Sequence, residues 1–370
     1  MFNNIFKNKE IIVTGNSGFK GSWLSIWLKI LGANVHGISY LPPSELNMFE
    51  SLKIENKLES FHKVNIAENY KVTNEIISNI GPDFIFHLAA QPLVSVSYDD
   101  PLYTLKTNIL GTANILNSAR EQEKRVISII ITSDKCYDNL ELKRGYNEND
   151  ILGGKDVYSG SKGAAELVIK SFFHSFFKNH EFKSSVASAR AGNVIGGGDW
   201  GKDRIVPDAM ISWNKNEKLS IRNPSSTRPW QHVLEPLSGY LTLACKLYSG
   251  NDLNGENFNF GPNETSNKTV KNLIDGLSKR WGYKKEEDSY SIKHTDDFHE
   301  AGLLQLDCTK ANELLDWQPN LSFDQMINFS SDWYKEFYTS NGIEEMLMIS
   351  EDQINSYVDI ASKKNYSWVI

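Results

Sequence analysis

Two short stretches of the 370-residue chain carry residue types and spacings suited to acid–base chemistry. Thr132-Ser133-Asp134-Lys135-Cys136-Tyr137 sets a hydroxyl, a carboxylate and an amine in consecutive positions. Tyr158-Ser159-Gly160-Ser161-Lys162 spaces a phenol and an ammonium i, i+4, which on a helix puts them on one face and within mutual reach. A cation beside a phenol favours the phenolate and turns a poor base into one usable near neutral pH. Ser133, Asp134, Lys135, Tyr158 and Lys162 are therefore the candidate catalytic residues. A Tyr-x-x-x-Lys pair alone recurs by chance in many helices, so its weight comes from what surrounds it.

The elements that must hold these groups are readable around them. Residues 126–131, Val-Ile-Ser-Ile-Ile-Ile, form a β-branched run of the kind found in buried parallel strands. The polar stretch that follows emerges at a strand's carboxyl end, where ligands sit in an open α/β sheet. Further upstream, residues 10–14 read as a first strand running into Gly15-Asn16-Ser17-Gly18-Phe19-Lys20-Gly21. Glycines at 15, 18 and 21 permit a tight turn, close backbone approach to a pyrophosphate and close packing of the next helix, whose N-terminus favours the anion. Residues 35–39, 61–64, 84–90 and 185–190 read as further strands, with helices over 70–80, 101–123 and from the Tyr158 stretch to about 179. The alternation predicts a doubly wound parallel α/β sheet of the Rossmann type. After 35–39 an acidic residue would grip an adenosine ribose, and Ser39-Tyr40 stands there instead. His87 reads as a packed core histidine rather than a catalyst. Phe172/Phe176 and Phe173/Phe177 form two i, i+4 pairs, an apolar arc wide enough to meet both the sheet and a second subunit.

Past residue 194 the regular alternation stops. Residues 1–194 are expected to form the dinucleotide-binding domain, with return elements near 235–262, and 195–370 mainly a smaller α+β substrate-binding region. Arg204, Arg222 and Arg228 in that region suit phosphate oxygens, because a guanidinium fork binds them bidentately, and Trp230 could stack on a base or wall a sugar pocket. A helix over 235–247 and a short strand over 257–260 complete the reading.

Composition narrows the function classes. The net charge of −7 disfavours nucleic acid as a partner. No apolar run approaches the ~20 residues a membrane span needs. The N-terminus fits no signal peptide, so a cytoplasmic protein is expected. Cys136, Cys245 and Cys308 are odd in number and far apart, offering neither a disulfide framework nor metal-ligand spacing.

The glycine turn, the Ala89-Ala90 strand end, the strand-end hydroxyl and Tyr158-x-x-x-Lys162 together resemble the extended short-chain dehydrogenase/reductase family, whose members act on nucleotide sugars. Residues 14–24, 132–137, 190–200 and 228–237 are similar to its 4,6-dehydratase branch, and the likeness continues through Leu306-Asp307-Cys308 and Trp317-Gln318-Pro319 to Trp333-Tyr334-Lys335. The last 20 or so residues carry no such match. The resemblance implies NAD as cofactor, held by Gly15, Asn16, Ser17, Gly18, Phe19, Lys20, Ser39, Asn65, Ile66, Leu88, Ala89, Ala90, Gln91, Asn108, Tyr158 and Lys162. It implies a nucleotide sugar, CDP-glucose, as substrate, bound by Gln91, Asn193, Arg204, Val206, Arg222, Arg228 and Trp230, and a homodimer or larger homo-oligomer. It also implies roles: Tyr158 as base at the sugar 4-hydroxyl, Ser133 orienting that hydroxyl, Lys162 lowering the phenol's pKa, Asp134 as acid and Lys135 as base in an elimination. Asp134 and Lys135 are then expected to titrate as a coupled pair. Two departures stand out: Asn65 where the family usually has aspartate, and Asn16-Ser17 in place of His-Thr. Two rival readings remain, another enzyme of the same family such as a 4-epimerase, and a non-catalytic NAD-binding scaffold.

Overall fold

Alternate residues of the first strand face opposite layers. Ile11 and Val13 join one apolar core and Ile12 the other, and Ile127, Ile129 and Ile131 part in the same way from Ile130. A strand buried on both faces has no polar side to offer, hence the unbroken β-branched runs in the sequence. The computed structural model describes residues 1–42, 44–181, 183–262, 268–293, 304–340 and 342–370. In it β1 (Glu10–Thr14), β2 (Asn34–Ser39), β3 (Ser60–Lys63), β4 (Phe84–His87), β5 (Ile127–Ile131) and β6 (Ser185–Ala191) are joined by Asn257–Phe260 into a seven-stranded parallel sheet. Counting Asn257–Phe260 as seventh, its order is 7-6-5-4-1-2-3. The chain reverses direction across the sheet between β1 and β4, and ligands of doubly wound folds occupy the crevice at such a point.

The sequence reading departs from the structure in three places. The strand expected over 84–90 stops at His87: the Leu88 N–H closes the ladder on the Thr14 carbonyl (3.0 Å), and the Ala89 N–H turns to the Thr14 Oγ1 (3.3 Å). The helix expected over 101–123 is Pro101–Leu105, a π-turn at Lys106–Leu110 and Gly111–Arg120; the Tyr158 helix, Val157–Phe172, likewise runs into a π-turn at Phe173–Phe177. A π-turn inserts one residue and redirects the side chains around it. Third, the C-terminal stretch, to which the sequence reading gave no element, is a long helix, Ile343–Lys363, followed by a tail that returns to the N-terminus. Trp368 stacks on Phe2 with ring centroids 5.2 Å apart, and Asn3 N donates to the Ile370 carbonyl at 2.7 Å. Among the described residues no helix is long and apolar enough to cross a membrane.

Candidate active site

At the β1–β4 crevice the glycine turn is packed so closely that only glycine fits. Gly15 has φ +72, and a Cβ there would lie 2.6 Å from the Ala89 nitrogen; one on Gly21 would lie 2.2 Å from the Gly15 carbonyl oxygen. The helix that follows, α1 (Phe19–Ile30), therefore begins against the turn with its first N–H groups directed at the crevice. Asn16, Ser17 and Ser39 are buried together. Ser39 Oγ donates to Asn16 Oδ1 at 2.9 Å and accepts from the Ser17 N–H at 3.2 Å, while Asn16 Nδ2 is buried without a partner. A glycine cradle and an unused buried donor fit a polar dinucleotide. Ile66 packs beside Gly111, and Asn65 Oδ1 accepts from the Ala67 N–H at 3.0 Å.

The π-turn aims Asn108 at the same crevice. Its Oδ1 accepts from the Gln91 N–H at 2.8 Å, and its Nδ2 donates to Ser161 Oγ at 2.8 Å and to the Gln91 carbonyl at 3.2 Å. Asn108 thereby ties the end of β4 to the Tyr158 helix. The Gln91 amide is engaged inside the protein, donating to Thr104 Oγ1 (2.8 Å) and accepting from the Leu93 N–H (2.6 Å). His87 is buried between Thr14 Oγ1 (2.7 Å) and Thr112 Oγ1 (3.1 Å); burial, then the Lys162 charge, pushes it down to about 3. It is a neutral packing histidine.

Ser133, Asp134, Tyr158 and Lys162 converge at the carboxyl end of β5, all at most 8% exposed. The Asp156 carboxylate caps the Tyr158 helix by accepting from the Ser159 N–H at 2.9 Å, which fixes Tyr158 in the first turn. Lys162 Nζ stands 6.0 Å from the Tyr158 ring centroid. Burial pushes the Tyr158 phenol up to about 12, against which the Ser133 hydroxyl and the Arg204 charge pull it down. Arg204 thus supplies a cation that opposes the burial, with Lys162 close by on the same helix face. Burial pushes Lys162 itself down to about 8. Asp134 accepts from Ser133 Oγ at 2.9 Å through Oδ1, while Oδ2 is buried without a partner. Burial raises the Asp134 carboxyl, and the charge of Lys135 is the strongest influence opposing it. Lys20, from the first turn of α1, joins this group; burial pushes it down to about 8, with Asp134 pulling the other way.

The substrate-side candidates divide. Arg204 reaches the cluster and pairs with Asp199 at 2.7 Å. Asn193 lies on the connection from β6, its carbonyl accepting from the Gln231 N–H at 3.2 Å. Arg228, half-buried, sits on a short strand paired with Lys268-Thr269, and Arg222 is exposed after Leu219–Ile221. Val206 is buried, in the same apolar core as Trp230. Trp230 is also buried, with Nε1 donating to the Lys268 carbonyl at 3.1 Å. The sequence reading missed Glu166 and Arg190, a buried pair at 2.8 Å behind the β5 turn. The position of Glu166, four residues past Lys162, was the available signal. Among the described residues no group of three or more His, Cys, Asp or Glu side chains is placed to hold a metal ion.

The chain is similar to known proteins. The family model described as GDP-mannose 4,6 dehydratase matches residues 12–329. The CDP-glucose 4,6-dehydratase of Salmonella typhimurium is 42% identical over 363 residues, covering 97% of this chain and 99% of its own. In fold, the chain is similar to an epimerase from Methanothermobacter thermautotrophicus (TM-score 0.76, 23% identity, 93% of this chain and 96% of that one). It is also similar to a dTDP-glucose 4,6-dehydratase from Bacillus anthracis solved in complex with NAD (TM-score 0.73, 20% identity, 89% and 97%). With a family model spanning most of its length, the chain belongs to the GDP-mannose 4,6 dehydratase family, within the extended short-chain dehydrogenases/reductases.

Proposed function

We propose that the protein dehydrates CDP-D-glucose to CDP-4-dehydro-6-deoxy-D-glucose with NAD as its cofactor. The observation that carries the reaction class is Asp134, a buried carboxyl raised by its surroundings, with one oxygen unpartnered and an amine next in the chain. Epimerisation at C4 requires no acid for a C6 hydroxyl, whereas elimination of water requires one. The full-length likeness to the Salmonella relative supports the substrate.

The residues that would hold NAD are those of the glycine turn with Asn16, Ser17, Ser39, Asn108, Tyr158 and Lys162. Bound there, NAD would supply the hydride acceptor and donor that lets a redox-neutral dehydration pass through a 4-ketone. Ser133 orients the sugar 4-hydroxyl and Tyr158 removes its proton. The 4-ketone acidifies the C5 proton, which the Lys135 amine accepts while Asp134 protonates the departing C6 oxygen. Asp134 can donate only when it carries a proton, and its buried setting favours that state. Arg228 and Arg222 are assigned to the substrate diphosphate, with Arg204 poised between substrate and Tyr158. On this reading residues 195–370 mainly form the substrate side, and Leu234–Tyr248 and Asn257–Phe260 return to the dinucleotide-binding part.

Exposed Leu102, Leu110, Leu167 and Phe176, on the two helices that carry the π-turns, support a homodimer or larger assembly through those helices. A cytoplasmic place in the supply of deoxysugars for surface polysaccharide suits the product's chemistry. Incubation with CDP-glucose and with dTDP-glucose, followed by the alkaline absorbance of the 4-keto product, tests the reading. Conversion of CDP-glucose is expected, and no product from it overturns the assignment.

A further inference from the structure

Among the described ion pairs, one has both side chains shut away from solvent: Glu166 and Arg190, 3% and 1% exposed. A buried pair gains little net stability, because desolvation consumes most of its Coulomb attraction. Its partners point to another role. Glu166 Oε1 accepts from Thr132 Oγ1, and Oε2 accepts from Ser188 Oγ at 2.9 Å. Arg190 Nη1 donates to the Tyr137 hydroxyl at 2.8 Å, and that hydroxyl donates to Asn259 Oδ1 at 2.8 Å. Thr132 precedes the turn that carries Ser133, Asp134 and Lys135, and Tyr137 follows it. The pair thus grips the turn at both ends, Glu166 from the helix that carries Tyr158 and Lys162 and Arg190 from β6.

We infer that Glu166, braced by Arg190, is a positioning residue for the dehydration, clamping the Ser133–Lys135 turn against the Tyr158 helix and keeping Lys162 an ammonium. The inference rests on the dehydratase reading and deepens it. Lys162 is pushed down by burial and pulled up by Cys136 and Glu166. Burial drives the Cys136 thiol far up, so it stays neutral, and Glu166, one turn on from Lys162 in the same helix, is the carboxylate that raises it. His87 from β4 is neutral, and Lys20 from α1 is a second cation that works against Lys162. Burial alone would raise Glu166, but the charge and hydrogen bonds of Arg190 hold it below the usual carboxylate range. Its negative charge therefore persists through the range in which Lys162 titrates.

NADH affinity, read by fluorescence titration from neutral to alkaline pH, tests the charge half. Wild-type affinity should fall in a step as Lys162 deprotonates, and Lys162→Met should abolish the step. Glu166→Gln should move it to lower pH by roughly one unit, the scale of losing one close buried charge. Should that single variant not fold, Glu166→Gln with Arg190→Met leaves no orphaned cation and carries the same expected shift. Thr132→Val and Tyr137→Phe test the clamp. Each leaves the ion pair intact, so the NADH step should stay where it is. The kcat on CDP-glucose should fall by roughly 10-fold with KM unchanged, as expected when reacting groups lose their alignment. A step absent in the wild type, or unmoved without Glu166, overturns the charge role. Wild-type kcat in both clamp variants overturns the positioning role. A wild type that leaves CDP-glucose untouched sinks the dehydratase reading instead, and the NADH step still decides the role of Glu166 toward Lys162.

Discussion

Asp134 and Glu235 pose one physical problem at two places in the molecule. Both carboxyls are shut from solvent, at 3% and 2% exposure, and burial pushes both upward, Glu235 to about 7. What separates them is the number of donors. Glu235 accepts from the Asn320 N–H (2.8 Å), the Leu321 N–H (2.6 Å) and the Tyr357 hydroxyl (2.8 Å). It staples Leu234–Tyr248 to the C-terminal helix and to the segment between them. Asp134 has one donor on Oδ1 and none on Oδ2. A satisfied carboxyl holds structure, whereas one with an unused oxygen at a ligand crevice can pass its proton on. A raised pKa marks both as candidates, and the missing donor tells them apart.

Substitution at each site should break the comparison in opposite directions. Asp134→Asn removes a proton donor, so kcat on CDP-glucose should fall by ~10²–10⁴-fold. Its melting temperature should hold or rise, since an incompletely paired buried carboxyl is exchanged for a neutral amide. An Asp134→Asn enzyme with normal turnover would sink the acid assignment. Glu235→Ala should do the reverse. Three buried donors lose their acceptor at a cost of about 3 kcal/mol, while kcat per folded molecule stays near normal. Denaturant unfolding and active-site-normalised kinetics measure the two halves, and a lost kcat with unchanged stability would place Glu235 in the chemistry.

The pH dependence of stability sharpens the contrast further. Glu235 holds its proton more tightly when folded (about 7) than at the ordinary glutamate value of 4.5. Its stabilising contribution is therefore complete below pH 4.5 and is lost as pH rises through 7, a change on the order of 3 kcal/mol. Wild-type unfolding free energy between those limits should decline more steeply with pH than that of Glu235→Gln, which cannot titrate. Parallel slopes would show that Glu235 does not titrate there.

Much of the fold was legible because some features constrain residue type directly. Only glycine fits at Gly15 and Gly21, and only an i, i+4 spacing brings Tyr158 and Lys162 to one face. The Asn257–Phe260 strand matched its expected bounds, since a short run flanked by turn residues has few alternatives. The π-turns were not legible, because inserting one residue barely disturbs a 3.6-residue pattern. The burial of Trp230 was not legible either, because an aromatic side chain carries the same sequence signal whether it packs in a core or faces a ligand. Arg190 and Glu166 lie 24 positions apart, and only the docking of helix on strand brings them together. Glu235 lay inside a stretch whose family likeness was plain, yet its partners come from 85 and 122 residues away.

The smallest expected effect is the most specific to Glu235. Tyr357 is fully buried, and its hydroxyl lies between Glu235 Oε2 at 2.8 Å and Ser238 Oγ at 3.0 Å. Tyr357→Phe removes that hydroxyl and keeps the ring, which stacks on Trp368. A neutral hydrogen bond contributes about 1 kcal/mol and one to a charged group about 1.5–3 kcal/mol. The penalty therefore depends on the protonation state of Glu235. At pH 5 the carboxyl is mostly neutral in the folded protein and the loss should sit near the lower figure. At pH 8 it is mostly ionised, and losing a donor to the anion should cost more. The same loss raises the folded pKa of Glu235, so the decline of stability with pH should extend to higher pH than in the wild type. Unfolding free energies at the two pH values decide the matter: equal penalties, or a larger one at pH 5, would mean that the Tyr357 hydroxyl does not donate to an ionising carboxyl.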